Sequence, residues 1–194
     1  MGPSVLYTEN LILQVENELK AGEVLDLYKR NKIIFDKYEP TRPSDFFTKD
    51  YHIAHLRGEF NAYKSGTFLR YYIYMPYRTD RVIGSVNFNI RQGKSDRYAE
   101  IGYKLDLLYQ GRGFAYEACY NGISVMKKYY SIRTIAAYIA PDNSPSIKLA
   151  KKLGFKKIRS NDRLASVNGC NIFLDLYALD TFFKTKKKTK KLSL

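Results

Sequence analysis

Gln110-Gly111-Arg112-Gly113-Phe114-Ala115 is the stretch whose residue types and spacing point most directly to chemistry. Small residues at 111, 113 and 115 let backbone N–H groups approach a bulky anion, and a helix starting here would aim the positive end of its dipole at the same point. Such a turn suits a diphosphate. A dinucleotide fingerprint would need glycine at 116, where Tyr116 stands, and a ribose-reading acid about 20 residues on, where Arg133 opens the region instead. A phosphate loop with Gly-Lys-Ser/Thr before the helix is absent.

The flanking residues supply the elements that must position this turn. Tyr98 to Leu107 alternates as a strand, and Gly113 to Tyr130 sets Ala115, Ala118, Cys119, Gly122, Met126 and Tyr129 on one helical face. Further on, Thr134 to Ala140 reads as a strand and Pro145 to Leu153 as a helix. Two closing strands, around Phe155–Ala165 and Cys170–Leu179, are joined by the hairpin signal Val167-Asn168-Gly169. Upstream, Asn10 to Val15 is a short strand. Glu18 to Tyr38 is an interrupted helical pattern closed by Pro40 and Pro43, and Thr48 to Lys64 is a second helix. Phe68–Met75 and Arg81–Arg91 are strands rich in Tyr, Ile, Val and Phe, and a Gly93-to-Asp96 turn leads from the second of them to the strand carrying Glu100. The order βααβββαβαββ predicts a single α/β domain with a mixed, mostly antiparallel sheet flanked by helices.

Gln110-x-x-Gly113-x-Ala115, after a strand and opening a helix, resembles the acetyl-CoA motif of the GNAT superfamily of N-acetyltransferases. Asn143-x-x-Ser146-x-x-Leu149 followed by Leu153-Gly154-Phe155 resembles its second motif. Ala99-Glu100-Ile101-Gly102-Tyr103 resembles the branch that acetylates the N-termini of ribosomal proteins, the RimJ/RimL-like enzymes. The resemblance spans roughly residues 8–179, by pattern rather than motif in its N-terminal third. It implies a GNAT fold and direct transfer of acetyl from acetyl-CoA, a co-substrate, to a primary amine in a ternary complex without a covalent enzyme intermediate. The amine is either a protein or peptide N-terminus or belongs to a polyamine, aminoglycoside or amino acid. A rival is a non-catalytic module that binds coenzyme A and docks on RNA or ribosomes.

Carried onto this chain, the resemblance makes Glu100 the general base and Ser146 the general acid or hydrogen-bond donor to the leaving thiolate. It makes Leu105 and Leu107 backbone partners of the pantetheine arm, Gln110, Gly111, Arg112, Gly113, Phe114 and Ala115 the diphosphate turn, and Asn143 a further pantetheine contact. Each residue also has a plainer role. Glu100 would pair with Lys104 or an arginine on the solvent side of a sheet, and Asn143-Ser144-Pro145-Ser146 is a helix start with a cap and an early proline. Leu105 and Leu107 would be core, and Arg112 would face solvent. Gly154 supplies a left-handed helix end, Glu117 offsets the helix dipole, and the tyrosines at 71, 72, 74 and 77 belong to a strand rather than to a stacking surface for bases.

At 194 residues and 45% hydrophobic, the chain suffices for one core. It contains no apolar run of the ~18 residues that cross a bilayer and no apolar N-terminal signal, which predicts a cytoplasmic protein without membrane contact. His52 and His55 lack partners at ligand spacing, so no metal is expected. Cys119 and Cys170 read as small buried hydrophobes. The net charge is +14, and six of the lysines fall in a tail, residues 184–194, expected to be disordered. The remaining basic surface would attract polyanions, ribosomal RNA among them. The protein is expected as a monomer or homodimer.

Overall fold

Strand-forming alternation and two helical layers account for the architecture. The computed structural model describes residues 1–93, 96–167 and 169–181; Lys94 and Ser95 of the predicted turn, Asn168 of the hairpin turn and the lysine tail lie outside these. The chain opens with strands β1 (Val5–Tyr7) and β2 (Ile12–Gln14), a 3₁₀ turn at Glu18–Lys20, and helices α1 (Ala21–Arg30), α2 (Lys32–Asp36) and α3 (Lys49–Lys64). Strands β3 (Phe68–Tyr74), β4 (Gly84–Gln92) and β5 (Arg97–Leu105) follow, then α4 (Phe114–Tyr130), β6 (Thr134–Ile139), α5 (Ser144–Lys152), β7 (Lys156–Val167) and β8 (Cys170–Asp180). One sheet holds all eight strands in the order β1-β2-β3-β4-β5-β6-β8-β7. Every neighbouring pair is antiparallel except β5 with β6.

Each sheet face buries its own helical layer. Leu69, Tyr71, Ile73, Val86, Phe88 and Ile101 point toward α4, which answers with Ala118, Cys119, Val125 and Met126. Tyr72 and Tyr74 point the other way, onto Val24, Leu27, Tyr28 and Leu56 of α1 and α3. Each such side chain contributes about 1.5–3 kcal/mol by leaving water. Gly122 is required here, because a Cβ on it would stand 2.6 Å from the Phe88 ring. The helix therefore lies closer to the sheet than any other residue would permit.

Several boundaries differ from expectation. The Asn10–Val15 strand is only Ile12–Gln14, paired with a three-residue β1 too short to leave a periodic signal. Asn31 breaks the Glu18–Tyr38 pattern into α1 and α2, and its amide serves the chain elsewhere. The α4 face ends on buried Tyr130, with Tyr129 exposed. Cys119 is buried, which pushes its thiol pKa up, but Cys170 is exposed beside the hairpin turn.

His52 sits 1% exposed against Tyr28, Phe46 and Tyr51, and neither ring nitrogen makes a well-formed hydrogen bond. Burial first, then the neighbouring His55, lowers its pKa to about 4. The fold holds it neutral, so stability is full above the unfolded value of about 6.5 and is lost as pH falls toward about 4. His52→Leu should narrow the difference in melting temperature between pH 7.5 and 4.5; an unchanged difference would mean that other groups set the acid lability.

Candidate active site

β5 and β6 pair only through Tyr98–Thr134, Ala99–Ile135 and Glu100–Ala136. Beyond that point β5 stays bonded to β4 as far as Leu105, and β6 stays bonded to β8 as far as Ile139. The two strands part and leave a wedge walled by unpaired strand edges. An extended, amide-bearing arm can add to such edges as a further strand does.

The turn after β5 is held from beneath. Asp106 is 2% exposed and takes Arg30 Nε at 2.6 Å and the Leu108 N–H at 3.1 Å, while Arg30 also donates to the Val82 carbonyl. Burial alone would raise the Asp106 carboxyl pKa, but Arg30, the Leu108 N–H and Asn31 outweigh it and hold it below the usual range. Leu107 therefore lies past the strand, in a 3₁₀ turn at Leu107–Tyr109, which corrects the expected strand end. Its N–H is given to Asn31 Oδ1 at 3.0 Å, so only its carbonyl, already accepting from the Gln110 N–H, remains for a ligand. Leu105 is buried, and its carbonyl accepts Gln110 Nε2 at 3.0 Å with one lone pair to spare.

Gly111 (φ 76°) and Gly113 (φ 85°) take the left-handed conformation that disfavours side chains, and open space lies where a Cβ on either would stand. Gly113 caps α4 without a side-chain hydrogen bond, so the N–H groups of the first turn keep their donors free at the mouth of the wedge. Phe114 and Ala115 are half-buried against the core and fix the turn from inside, while Arg112 is exposed, 5.9 Å from the Tyr109 ring. Glu117, in the first turn of α4, accepts from the Thr8 hydroxyl (2.6 Å) and from the N–H (2.7 Å) and side chain (3.0 Å) of Asn10, and so ties the β1–β2 turn to this helix. Open glycine space, uncapped amides and free strand edges together fit the diphosphate and pantetheine of acetyl-CoA.

Across the wedge, Asn143 Oδ1 accepts the Ser146 N–H at 3.2 Å and caps α5. The Ser146 hydroxyl takes no part in that cap. Its neighbour is Tyr103 of β5, whose hydroxyl donates to the Ser146 carbonyl at 3.2 Å and whose pKa burial pushes up to about 12. Because the cap uses the Ser146 backbone, Ser146→Ala should leave the melting temperature unchanged and lower turnover by about 10²-fold, the low end for a positioned acid. A loss of ~1 kcal/mol of stability with full activity would return Ser146 to a helix-start role.

Glu100 points to the sheet face opposite α4, its side chain 15% exposed, and both carboxylate oxygens meet Arg163 of β7 at 2.8 and 3.2 Å. Further along the same face, Lys104 binds Glu39 (2.6 Å) and the Tyr28 hydroxyl (2.7 Å). Residues 38–41 cross over this face and are laced to the β7–β8 hairpin: Pro40 bridges Val167, the Thr41 N–H donates to the Ser166 carbonyl (3.1 Å), and the Gly169 N–H donates to Thr41 Oγ1 (3.1 Å). Glu100 thus stands at the last β5–β6 pair before the strands part, Tyr103 of the same strand meets Ser146 past that point, and residues 110–115 lead from the end of β5 into α4. Sequence reasoning missed Arg163, Tyr103, Arg30 and Asn31. Tyr103 lies inside the quoted Ala99–Tyr103 motif, whereas Arg163 is 63 residues from Glu100 with no local signal. Among the described residues no group of three or more His, Cys, Asp or Glu could hold a metal, and no helix is long and apolar enough to cross a membrane.

Residues 15–156 match the family model of an acetyltransferase (GNAT) domain. The chain is 33% identical over 152 residues to an uncharacterised N-acetyltransferase, p20, of Bacillus licheniformis, covering 78% of this chain and 82% of that protein. It is 28% identical over 153 residues to the ribosomal protein uS5-alanine N-acetyltransferase of Escherichia coli K12, covering 78% of each. The fold superposes on the ribosomal-protein-S5-alanine acetyltransferase of Vibrio fischeri with a TM-score of 0.86 at 22% identity, over 93% of this chain and 98% of that one. A ribosomal L7/L12 α-N-protein acetyltransferase in complex with coenzyme A gives 0.80 at 20% identity, over 91% and 97%.

Proposed function

This chain belongs to the GNAT acetyltransferase family and is an N-acetyltransferase using acetyl-CoA, and from that premise we propose that its acceptor is the α-amino group of a protein or peptide. The observation that carries this reading is the lacing of residues 38–41 to the β7–β8 hairpin over the face that bears Glu100. A strap over this sheet face would restrict access to Glu100, and the slender end of a polypeptide would pass such a restriction more easily than a branched aminoglycoside. The relative named for acetylating an alanine of ribosomal protein uS5 supports the same acceptor. A net charge of +14 would speed encounter with a protein held in a polyanionic assembly such as a ribosome.

In this reading the strand edges of β5 and β6 seat the arm of the co-substrate, and the amides at Gly111–Ala115 hold its diphosphate. Glu100 takes the proton from the attacking nitrogen, directly or through water. Ser146 gives a hydrogen bond to the departing sulfur. The co-substrate supplies the acetyl thioester, and no residue of the chain is acylated.

The acceptor is tested by following acetyl-CoA consumption over N-terminal peptides, polyamines and aminoglycosides. Peptides should exceed the best small amine in kcat/KM by about tenfold or more, a difference of about 1.4 kcal/mol in transition-state binding. A polyamine or aminoglycoside outrunning every peptide would overturn the α-amino assignment while leaving the acetyltransferase intact.

A further inference from the structure

Resting on the reading of Glu100 as the base, we propose that Arg163 is a positioning residue for acetyl transfer. From the edge of the sheet it holds the Glu100 carboxylate in one orientation and offsets its charge, so that the acceptor meets it as a neutral amine.

β7 stands three places from β5 in the sheet order. Three spacings of about 4.8 Å put it roughly 14 Å away in a flat sheet, beyond the reach of an arginine. The contact exists because the hairpin is bent. The β7–β8 register slips twice between Lys157 and Arg163, and Asn161 adopts φ 51°. Asp175, 3% exposed, fixes this irregularity by accepting the Asn161 N–H (3.1 Å) and Lys157 Nζ (2.7 Å). Irregularities of this kind re-aim side chains beside functional sites. Here the result is a guanidinium 3.5 Å from the centre of the Tyr138 ring on β6, with one N–H donor on each Glu100 oxygen.

Two consequences follow from that geometry. A glutamate otherwise samples several rotamers, and a two-point clamp backed by an aromatic ring holds it in one, while each oxygen keeps a second lone pair for the acceptor. A lone carboxylate would also favour the acceptor as an ammonium, which has no lone pair with which to attack; a carboxylate already paired with arginine removes most of that bias. The other charged or titratable groups facing the pair are Tyr138 on β6, Tyr98 and Lys104 on β5, and Asp162 with Arg159 on β7. Lys104 is occupied by Glu39, and Asp162 by Arg159 at 2.7 Å.

The test is a double-mutant cycle: Arg163→Ala and Arg163→Lys, each made in the wild type and in Glu100→Gln, with kcat, the KM for acetyl-CoA, the pH dependence of kcat, which reports ionisations in the bound complex, and the melting temperature measured together. Arg163→Ala should lower kcat by about tenfold or more, within the range for a misplaced catalytic group, leave the acetyl-CoA KM near wild type, and move the rising limb of the pH profile to higher pH. Arg163→Lys keeps the charge but cannot clamp both oxygens, so the limb should return while kcat recovers only in part. In the Glu100→Gln background neither change should matter. Equal losses in both backgrounds, or an unshifted limb, would overturn the role of Arg163 alone. Wild-type turnover in Glu100→Gln would overturn the base and Arg163 with it.

Discussion

Gly113→Asp should weaken coenzyme A binding by well over tenfold, or more than ~1.4 kcal/mol. Two effects act in the same direction. The residue lies at φ 85°, where any side chain strains the backbone, and it is the cap of α4, so a carboxylate there would occupy the open space into which the first-turn N–H groups point. The diphosphate would lose its amides and gain a like charge. Gly113→Ala carries the strain without the charge and should fall between the wild type and Gly113→Asp. Calorimetry on folded protein decides the matter, and unchanged affinity in Gly113→Asp would remove this turn from the cofactor site.

Glu100→Gln should lower turnover by roughly 10²–10⁴-fold, the range for loss of a general base, with cofactor affinity close to wild type. Glutamine preserves the shape and one hydrogen bond to Arg163, whose side chain is 43% exposed and can turn to water, so the fold should tolerate the change. A loss below about tenfold at every pH would make Glu100 no more than the partner of Arg163.

The path from the strand bearing Glu100 through the turn to α4 was legible because each part carries its own local signal. Alternation marks the strand, glycines mark the turn, and small residues at helical spacing mark the face that approaches Phe88. Leu107 misled because it continues the alternation of Ile101, Tyr103 and Leu105, while the strand ends where Asp106 is clamped by Arg30, 76 residues earlier. Asn31 reads as an ordinary helix breaker; its bond to the Leu107 N–H exists only in the folded chain. The ion pair of Glu100 was anticipated in kind, with Lys104 or an arginine, but the arginine could not be chosen. Arg163 meets it from a strand whose register slips beside Asn161 and Asp175, and an irregularity set by side-chain contacts across a hairpin leaves no periodic trace. The strap from Tyr38 to Thr41 was hidden for the same reason, the partners of Tyr38 and Thr41 being more than 100 residues away in the chain.

The most direct test of acetyl transfer to an α-amino group is mass spectrometry of a peptide that carries both a free N-terminus and an internal lysine, incubated with acetyl-CoA and the enzyme, with fragmentation to locate the added acetyl. Acetylation of the N-terminal nitrogen alone, lost in Glu100→Gln, is the expected result. Acetyl on the lysine side chain, or an unmodified peptide beside a turned-over small amine, would contradict it.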